Sequence, residues 1–127
     1  MSVIVTDTGF GPDDWTAGFD AEGVLDLPSD TDPATLDAPE GTRMVRIDFP
    51  SFSDGRGFTL ARLLRLRGYT GRLRARGHVI SDQYAMARRS GFDEVEISDE
   101  LAARQPEADW LFRANWQQHD YQARLRG

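Results

Sequence analysis

The chain has 127 residues, a net charge of −6, 39% hydrophobic residues and 28% charged residues, a composition typical of a soluble globular protein. We expect a cytoplasmic protein without a membrane anchor, because no apolar run approaches the ~18 residues of a membrane span and the N-terminus lacks a signal-peptide pattern. Cysteine and lysine are both absent, which excludes disulfides, thiolate chemistry, Schiff-base lysines and P-loop lysines.

The charges are segregated along the chain. Residues 1–42 carry ten acidic residues and no arginine, residues 43–90 carry eleven arginines and three aspartates, and residues 91–127 carry eight acidic residues and four arginines. Two interpretations stay open: the acidic ends neutralise the arginine-rich middle, or the arginines line a cleft for an anionic ligand or a partner's acidic surface. The acidic pI of about 4.8 disfavours nucleic acid as a partner.

The N-terminal segment is predicted to be rich in loops. The run SVIV near the N-terminus and the run Gly23–Leu27 are short strand candidates, and we expect them to pair antiparallel with each other. The proline- and aspartate-rich stretch that follows is typical of a loop, with Pro33 opening one helical turn. Trp15 and Phe19 are candidate anchors onto the main core.

Regular patterns begin at residue 43. RMVRIDF, GRLRARG and DEVEIS alternate with a period of two and predict three strands. FTLARLLRLRG and ISDQYAMARRSG carry apolar residues at helical spacing and predict two helices, which end in left-handed caps at Gly68 and Gly91. Ser98 is placed to cap a third helix, and Pro106 to restart a helix after a break.

The same patterns assign side chains to faces. In DEVEIS, Val95 and Ile97 are predicted to point into the core, and Glu94 and Glu96 to point outward. In the second helix, Met86 is predicted to face inward, and Ser81 or Asp82 to cap the N-terminus.

Strands that alternate with helices through short loops predict right-handed crossovers and a parallel sheet. The expected fold is α/β: a small, mainly parallel sheet of repeated βα units, an open sheet or a half-barrel, preceded by a loop-rich segment with short strands. We expect a single domain over residues 1–127. Its parts are an acidic N-terminal segment (1–42), the βα core (43–116) and a polar C-terminal tail (117–127).

Ligands of α/β sheets collect beyond the carboxyl ends of the strands, and the loop SFSDGRGFTL lies at such an end. Gly55 and Gly57 allow a close backbone approach, helix amides can hold an anion, and Arg56 can add a charge-assisted contact. The loop is neither a dinucleotide fingerprint nor a P-loop. A structural interpretation stays open, in which Asp54 caps a turn and Arg56 lies in solvent.

The loop RGHVISDQ provides a second group of candidates. His78 lies beside a strand end, and Asp82 and Gln83 lie in the first turn of the following helix. His78 can act as an acid, a base or a ligand donor, or have a structural role. A metal site would need Asp48, Asp54, His78 and Asp82 to converge, which their spacing does not demand, so no metal or cofactor is predicted.

The stretches FPSFSDGRGFTLARLLR, RGYTGRLRARGHVISDQ and RSGFDEVEI resemble DUF934, a bacterial family of unknown function. The resemblance covers about residues 46–97, and Tyr121–Gln122 resembles the usual family ending. The chain departs from the family at Gly77-His78, where many members have Gly-Asp, so an acid there is not indispensable in this protein. The positions that match family motifs are Asp54, Gly55, Arg56, Gly57, Arg62, Arg65, Arg74, Asp82, Gln83 and Arg88.

The resemblance implies an association with assimilatory sulfite reduction, and three functions stay open. The favoured one is a non-catalytic accessory protein that docks on sulfite reductase or holds a small oxyanion, with Arg56, Arg62 and Arg74 supplying positive charge. The second is an oxidoreductase component of sulfite reduction, although no thiol, dinucleotide motif or evident metal ligand set offers electrons a carrier. The third is a metabolite-binding domain unrelated to sulfur, forming a homodimer or another homo-oligomer.

Overall fold

The computed structural model describes residues 2–119, without the side chains of residues 118 and 119. Most of the predicted polar tail, including Tyr121–Gln122 of the family ending, lies outside the described residues. The strands are β1 Ser2–Thr6, β2 Gly9–Gly11, β3 Val24–Leu27, β4 Met44–Phe49, β5 Arg72–Gly77 and β6 Glu94–Ser98. The helices are α1 Arg56–Leu66, α2 Tyr84–Ser90, α3 Asp99–Arg104 and α4 Glu107–Phe112, with 3₁₀ turns at Ser81–Gln83 and Trp116–His119.

The six strands form one sheet in the order β2-β1-β6-β5-β4-β3. Strands β3 to β6 are mutually parallel, whereas β1 runs antiparallel to both β2 and β6. The mixed α/β class and the mainly parallel sheet are therefore confirmed. No helix among residues 2–119 is long and apolar enough to cross a membrane.

The predicted pairing of the two N-terminal strands is wrong. β1 pairs with β6, where Val3 and Val5 lie opposite Ile97 and Val95, and so extends the apolar face of the sheet. β3 lies at the far edge and pairs parallel with β4. The sequence pattern of a short strand identifies the strand but not its neighbour, because the neighbour is set by distant segments. Residues 33–35 form a hydrogen-bonded turn rather than a helical one.

One face of the sheet carries the main apolar core. Every second residue of β4, β5 and β6 packs there against helices α1 and α2. Gly57 of α1 lies against the ring of Phe49, since a Cβ added to Gly57 would be 2.5 Å from the ring's Cζ. This close contact seats α1 on the end of β4. The core residues of these strands are Val45, Ile47, Phe49, Leu73, Ala75, Val95 and Ile97.

The predicted helix caps are confirmed in part. Gly68 and Gly91 adopt positive φ angles of 99° and 117° after α1 and α2, and Ser98 Oγ accepts the Leu101 N–H. The predicted caps Ser81 and Asp82 are wrong: Gln83 Oε1 accepts the Ile80 N–H at 3.0 Å instead.

Met86 is 54% exposed, so its predicted inward orientation is also wrong. Tyr84 and Ala87 already fill the buried face of α2, which leaves Met86 on the outer side of this short helix.

The opposite face of the sheet carries charged side chains in register: Arg46 lies opposite Arg74, and Arg74 opposite Glu94. Glu94 and Glu96 point away from the helices, as predicted, yet both are buried. They are buried because residues 12–22, which we call the strap, cross this face between β2 at one edge and β3 at the other.

Candidate functional site

A cavity of about 570 Å³ opens at the carboxyl ends of β4, β5 and β6, beside α3. This is where ligands of α/β sheets bind. We call it the edge cavity. It is lined by Ser2, Asp48, Pro50, Phe52, Arg76, Gly77, His78, Glu96, Ile97, Ser98, Glu100, Leu101 and Arg104.

Two arginines bring positive charge to the edge cavity. Arg76, near the end of β5, has a side chain that is 48% exposed and pairs with Asp48 at 3.2 Å and Glu96 at 3.5 Å. These two carboxylates fix the position of its guanidinium group. Arg104, in the last turn of α3, is exposed and forms no ion pair with any residue that the structure describes. Arg104 is therefore available to an anionic ligand.

His78 is held in the edge cavity by the backbone around it. Gly77 has a φ of 113°, and a Cβ added there would be 2.7 Å from the Phe49 carbonyl oxygen. The chain can therefore make this turn only with glycine. The His78 N–H donates to the same carbonyl at 2.9 Å, and Nδ1 lies 3.2 Å from it. The ring meets Phe52 edge to face, with 5.1 Å between the ring centroids.

Two of the three carboxylates of the lining, those of Glu96 and Asp48, are balanced by arginines, whereas Glu100 on α3 is exposed and forms no ion pair with a residue that the structure describes. Glu96 is buried and contacts Arg74 at 2.8 Å, Arg46 at 3.3 Å and Arg76 at 3.5 Å. Asp48 is paired with Arg76. The negative charge in the floor of the cavity therefore opposes an incoming anion less than a count of the lining residues suggests.

The loop SFSDGRGFTL forms an internal ion pair. The Arg56 side chain donates from Nε to Asp54 Oδ1 at 3.0 Å and from Nη2 to Asp54 Oδ2 at 2.8 Å. The backbone N–H of Arg56 also donates to Asp54 Oδ1. These hydrogen bonds hold the pKa of the Asp54 carboxyl far below its ordinary value of 3.8. Asp54 thus uses a helix amide and the arginine that an external anion would need.

The two glycines of this loop have structural explanations of different strength. Gly57 permits the contact of α1 with Phe49 described above. Gly55 has an ordinary φ of −91°, so no left-handed geometry requires it. Arg56 also donates to Ser29 Oγ at 3.1 Å and lines a separate cavity of about 250 Å³.

The remaining predicted ligand residues do not converge. Arg62 is exposed on α1, and Arg74 is buried on the charged face of the sheet. Asp82 pairs with Arg113 at 3.0 Å. Gln83 donates from Nε2 to the Phe52 carbonyl at 3.0 Å, so it supports a residue of the edge cavity without lining it. Of the predicted set, only His78 lines this cavity.

Sequence reasoning missed Arg76 and Arg104 and considered Asp48 only as a metal ligand. A signal for Arg76 and Asp48 was present, because both lie at or near the ends of predicted parallel strands. Arg104 carried no such signal, since the short α3 brings it there from outside the sheet. Within residues 2–119, no group of three or more histidine, aspartate or glutamate side chains is placed to hold a metal ion.

The segregated charges meet in the fold. Acidic residues of the N-terminal segment pair with arginines of the middle: Asp7 with Arg88, Asp13 with Arg74, Asp14 with Arg72 and Asp26 with Arg46. These pairs agree with the first of the two interpretations above, in which acidic residues of the N-terminal segment neutralise the arginine-rich middle.

One comparison with known proteins gives a match. The family model described as "Bacterial protein of unknown function (DUF934)" matches residues 23–127. No curated protein and no solved structure matches the chain.

Proposed function

The chain belongs to the DUF934 family, and we propose that it is a non-catalytic accessory protein of assimilatory sulfite reduction that binds a sulfur oxyanion in the edge cavity. The link to sulfite reduction rests on the family resemblance. The binding role rests on one observation: a cavity at the ligand-binding end of the sheet is lined by Arg76, His78 and Arg104.

The lining suits an oxyanion. Arginine presents N–H groups in a planar fork that matches two oxygens of a sulfate or sulfite group. Arg76 is oriented in advance by Asp48 and Glu96, and Arg104 retains its donors for a ligand. His78 adds a ring nitrogen at the same end of the sheet.

The size of the cavity bears on the ligand. Its volume lies within the ~300–1,000 Å³ typical of small-molecule sites, and a single sulfite ion fills only a small part of it. The site therefore also accommodates an oxyanion that is carried on a larger organic group, as in adenylyl sulfate. We assign a binding role rather than a redox role because the chain has no cysteine and no dinucleotide motif.

Titration calorimetry with sulfite, sulfate and adenylyl sulfate tests the binding role. Charge-assisted hydrogen bonds contribute about 1.5–3 kcal/mol, so Arg104→Gln should weaken binding by about tenfold or more. Arg62→Gln is the matched control, because it removes the same charge from an exposed helical position outside the cavity. It should leave the affinity unchanged.

Three outcomes would contradict the assignment. If the native protein binds none of the three compounds, it has no such oxyanion site. If Arg62→Gln weakens binding as much as Arg104→Gln, the loss comes from the more negative net charge of both variants and not from a contact in the edge cavity. If Arg56→Ala abolishes binding and Arg104→Gln does not, the ligand binds at the SFSDGRGFTL loop.

The association with sulfite reduction needs a separate test. The tagged protein should retain the host's sulfite reductase at low salt, and release it as the salt concentration rises if charged surfaces form the contact. Failure to retain the reductase at low salt would contradict the association and leave the oxyanion site unaffected.

A further inference from the structure

The strap crosses the charged face of the sheet without becoming part of the sheet. Its ends are fixed at opposite edges, because β2 precedes it and β3 follows it. Six strands spaced ~4.8 Å apart are about 24 Å wide, a distance that eleven extended residues span easily. Within residues 12–22 no helix or strand forms, and no backbone–backbone hydrogen bond joins them to a strand.

Hydrogen bonds to arginine side chains attach the strap, and most of the acceptors are its carboxylates; the Glu22 carbonyl also accepts from Arg43 Nη2 at 3.2 Å. Asp13 binds the Arg74 guanidinium through both carboxylate oxygens, at 3.0 and 3.1 Å. Asp14 pairs with Arg72, next along the strap. The geometry of Asp13 on Arg74 is the bidentate one in which arginine recognises a carboxylate ligand.

Two aromatic rings of the strap complete the contact. The Phe19 ring lies under the Arg46 guanidinium, with 3.5 Å between its centroid and the arginine Cζ. The Trp15 ring lies 5.9 Å from Arg72 Cζ, within cation–π range. The strap thus presents two adjacent carboxylates followed by two aromatic rings to a row of arginines.

The family model matches the surface beneath the strap but not the strap itself. The matched region begins at residue 23, so the strap lies outside it, whereas Arg46, Arg72 and Arg74 lie inside it. The arginines therefore belong to the part of the chain that the family model describes, and their covering segment does not.

We propose that this charged face of the sheet, at Arg46, Arg72 and Arg74, is a docking surface for an acidic-aromatic peptide segment of a partner protein, and that the strap occupies it in cis. A segment held by side-chain contacts, without backbone pairing, opens at lower free-energy cost than the strands beneath it. A partner segment with adjacent carboxylates and aromatic rings then makes the contacts that Asp13, Asp14, Trp15 and Phe19 make now. This surface adjoins the edge cavity at Glu96, which contacts Arg46 and Arg74 on one side and Arg76 on the other.

The test uses the full-length protein and a fluorescein-labelled peptide with the sequence of residues 10–22, followed by fluorescence anisotropy. In the native protein the strap competes at an effective concentration in the millimolar range, so micromolar peptide should bind poorly. The variant Asp13→Asn/Asp14→Asn weakens the strap and should bind the peptide at least about tenfold more tightly. A peptide with asparagine in place of both aspartates should bind neither protein.

A matched control removes the same two charges elsewhere. Asp37→Asn/Glu40→Gln alters exposed acids of the N-terminal segment outside the strap, and should bind the peptide as poorly as the native protein. Asp14→Asn alone retains the contact of Asp13 with Arg74 and should give an intermediate affinity. Because the Asp14 side chain is 72% exposed, this single variant keeps the test valid if the double variant does not fold.

Three results would overturn the proposal. The first is that a folded Asp13→Asn/Asp14→Asn variant, or Asp14→Asn if the double variant does not fold, binds the labelled peptide no better than the native protein. The second is equal binding of the asparagine peptide, which would mean that the carboxylates are not recognised. The third is an equal gain in the Asp37→Asn/Glu40→Gln control, which would assign the effect to net charge.

Discussion

Arg74 connects the strap to the charged face of the sheet, and its replacement by methionine tests how that face is held. The Arg74 side chain is 0% exposed and donates to Glu94 Oε2 at 2.5 Å and to Glu96 Oε1 at 2.8 Å. It also holds Asp13 of the strap. Methionine is long and apolar enough to fill much of the space and cannot pair with a carboxylate.

The expected loss follows from the carboxylates that remain. Removing one partner of a buried ion pair costs about 3–5 kcal/mol, because the other charge stays buried without compensation. Here Glu94 keeps Arg72 at 2.7 Å, and Glu96 keeps Arg46 and Arg76. We therefore expect the lower end of the range, about 3 kcal/mol.

Equilibrium unfolding in urea measures this loss. With a slope of about 2 kcal/mol per molar urea, 3 kcal/mol lowers the midpoint by about 1.5 M. Domains of this size are stable by about 5–15 kcal/mol, so the variant should still fold. Arg62→Met on the exposed surface of α1 is the control and should change stability by less than about 0.5 kcal/mol.

A second variant identifies the cause of the loss. Adding Glu94→Gln to Arg74→Met neutralises a buried carboxylate that has lost one of its two arginine partners, leaves an amide oxygen as acceptor for Arg72, and should recover about 1 kcal/mol. The reasoning is refuted if Arg74→Met costs less than about 1 kcal/mol, or if Arg74→Met/Glu94→Gln is less stable than Arg74→Met alone.

Three further predictions follow from the contacts described above. Gly57→Ala should cost about 1–3 kcal/mol in urea unfolding, because its Cβ would overlap the Phe49 ring. Gly55→Ala, whose Cβ has no neighbour closer than 3.9 Å, should not destabilise; equal losses at both glycines would refute the packing explanation. Gly77→Ala should both destabilise the protein and weaken oxyanion binding in calorimetry, because it strains the turn that positions His78. Hydrogen bonds from their arginine partners hold the pKa values of the two adjacent strap aspartates below the ordinary 3.8. The ion pairs of these aspartates therefore stabilise the protein fully above about pH 4, and this contribution is lost as the pH falls through their lowered pKa values in the folded protein. Urea midpoints should fall less with acidification in Asp13→Asn/Asp14→Asn than in the native protein.

Local sequence patterns predicted the βα core because each depends on residues close together in the chain. The alternation of RMVRIDF places Val45, Ile47 and Phe49 on the helix-covered face of β4. Gly68 and Gly91 end α1 and α2 with positive φ angles, which glycine adopts without steric cost.

The alternation did not predict the burial of the two outward glutamates. It correctly turned Glu94 and Glu96 away from the helices, but the pattern of a strand carries no information on what covers that face. The strap lies there and buries them against Arg74. The contact of Asp13 with Arg74 that holds the strap there joins residues 61 positions apart, and no short window of sequence can contain it.

The candidate site was also predicted only in part from the sequence. The sequence placed His78 at a strand end, and the structure puts it in the edge cavity. The loop of Asp54 and Arg56 was at least as strong a candidate by sequence. In the structure the Asp54 carboxylate and the Arg56 guanidinium pair with each other at the start of α1. This pairing depends on the conformation of both side chains, which the sequence does not show.

The sequence by itself determined the identity and order of the core strands and helices, their caps at glycine, and the segregation of acidic ends from a basic middle. These properties follow from periodicity, backbone conformation and composition, which are local or additive. Only the tertiary structure decided which strand β3 pairs with, which arginines are buried, and which strand ends and helix converge on the edge cavity. Each of these depends on contacts between distant segments, whose free energies are set by the assembled fold.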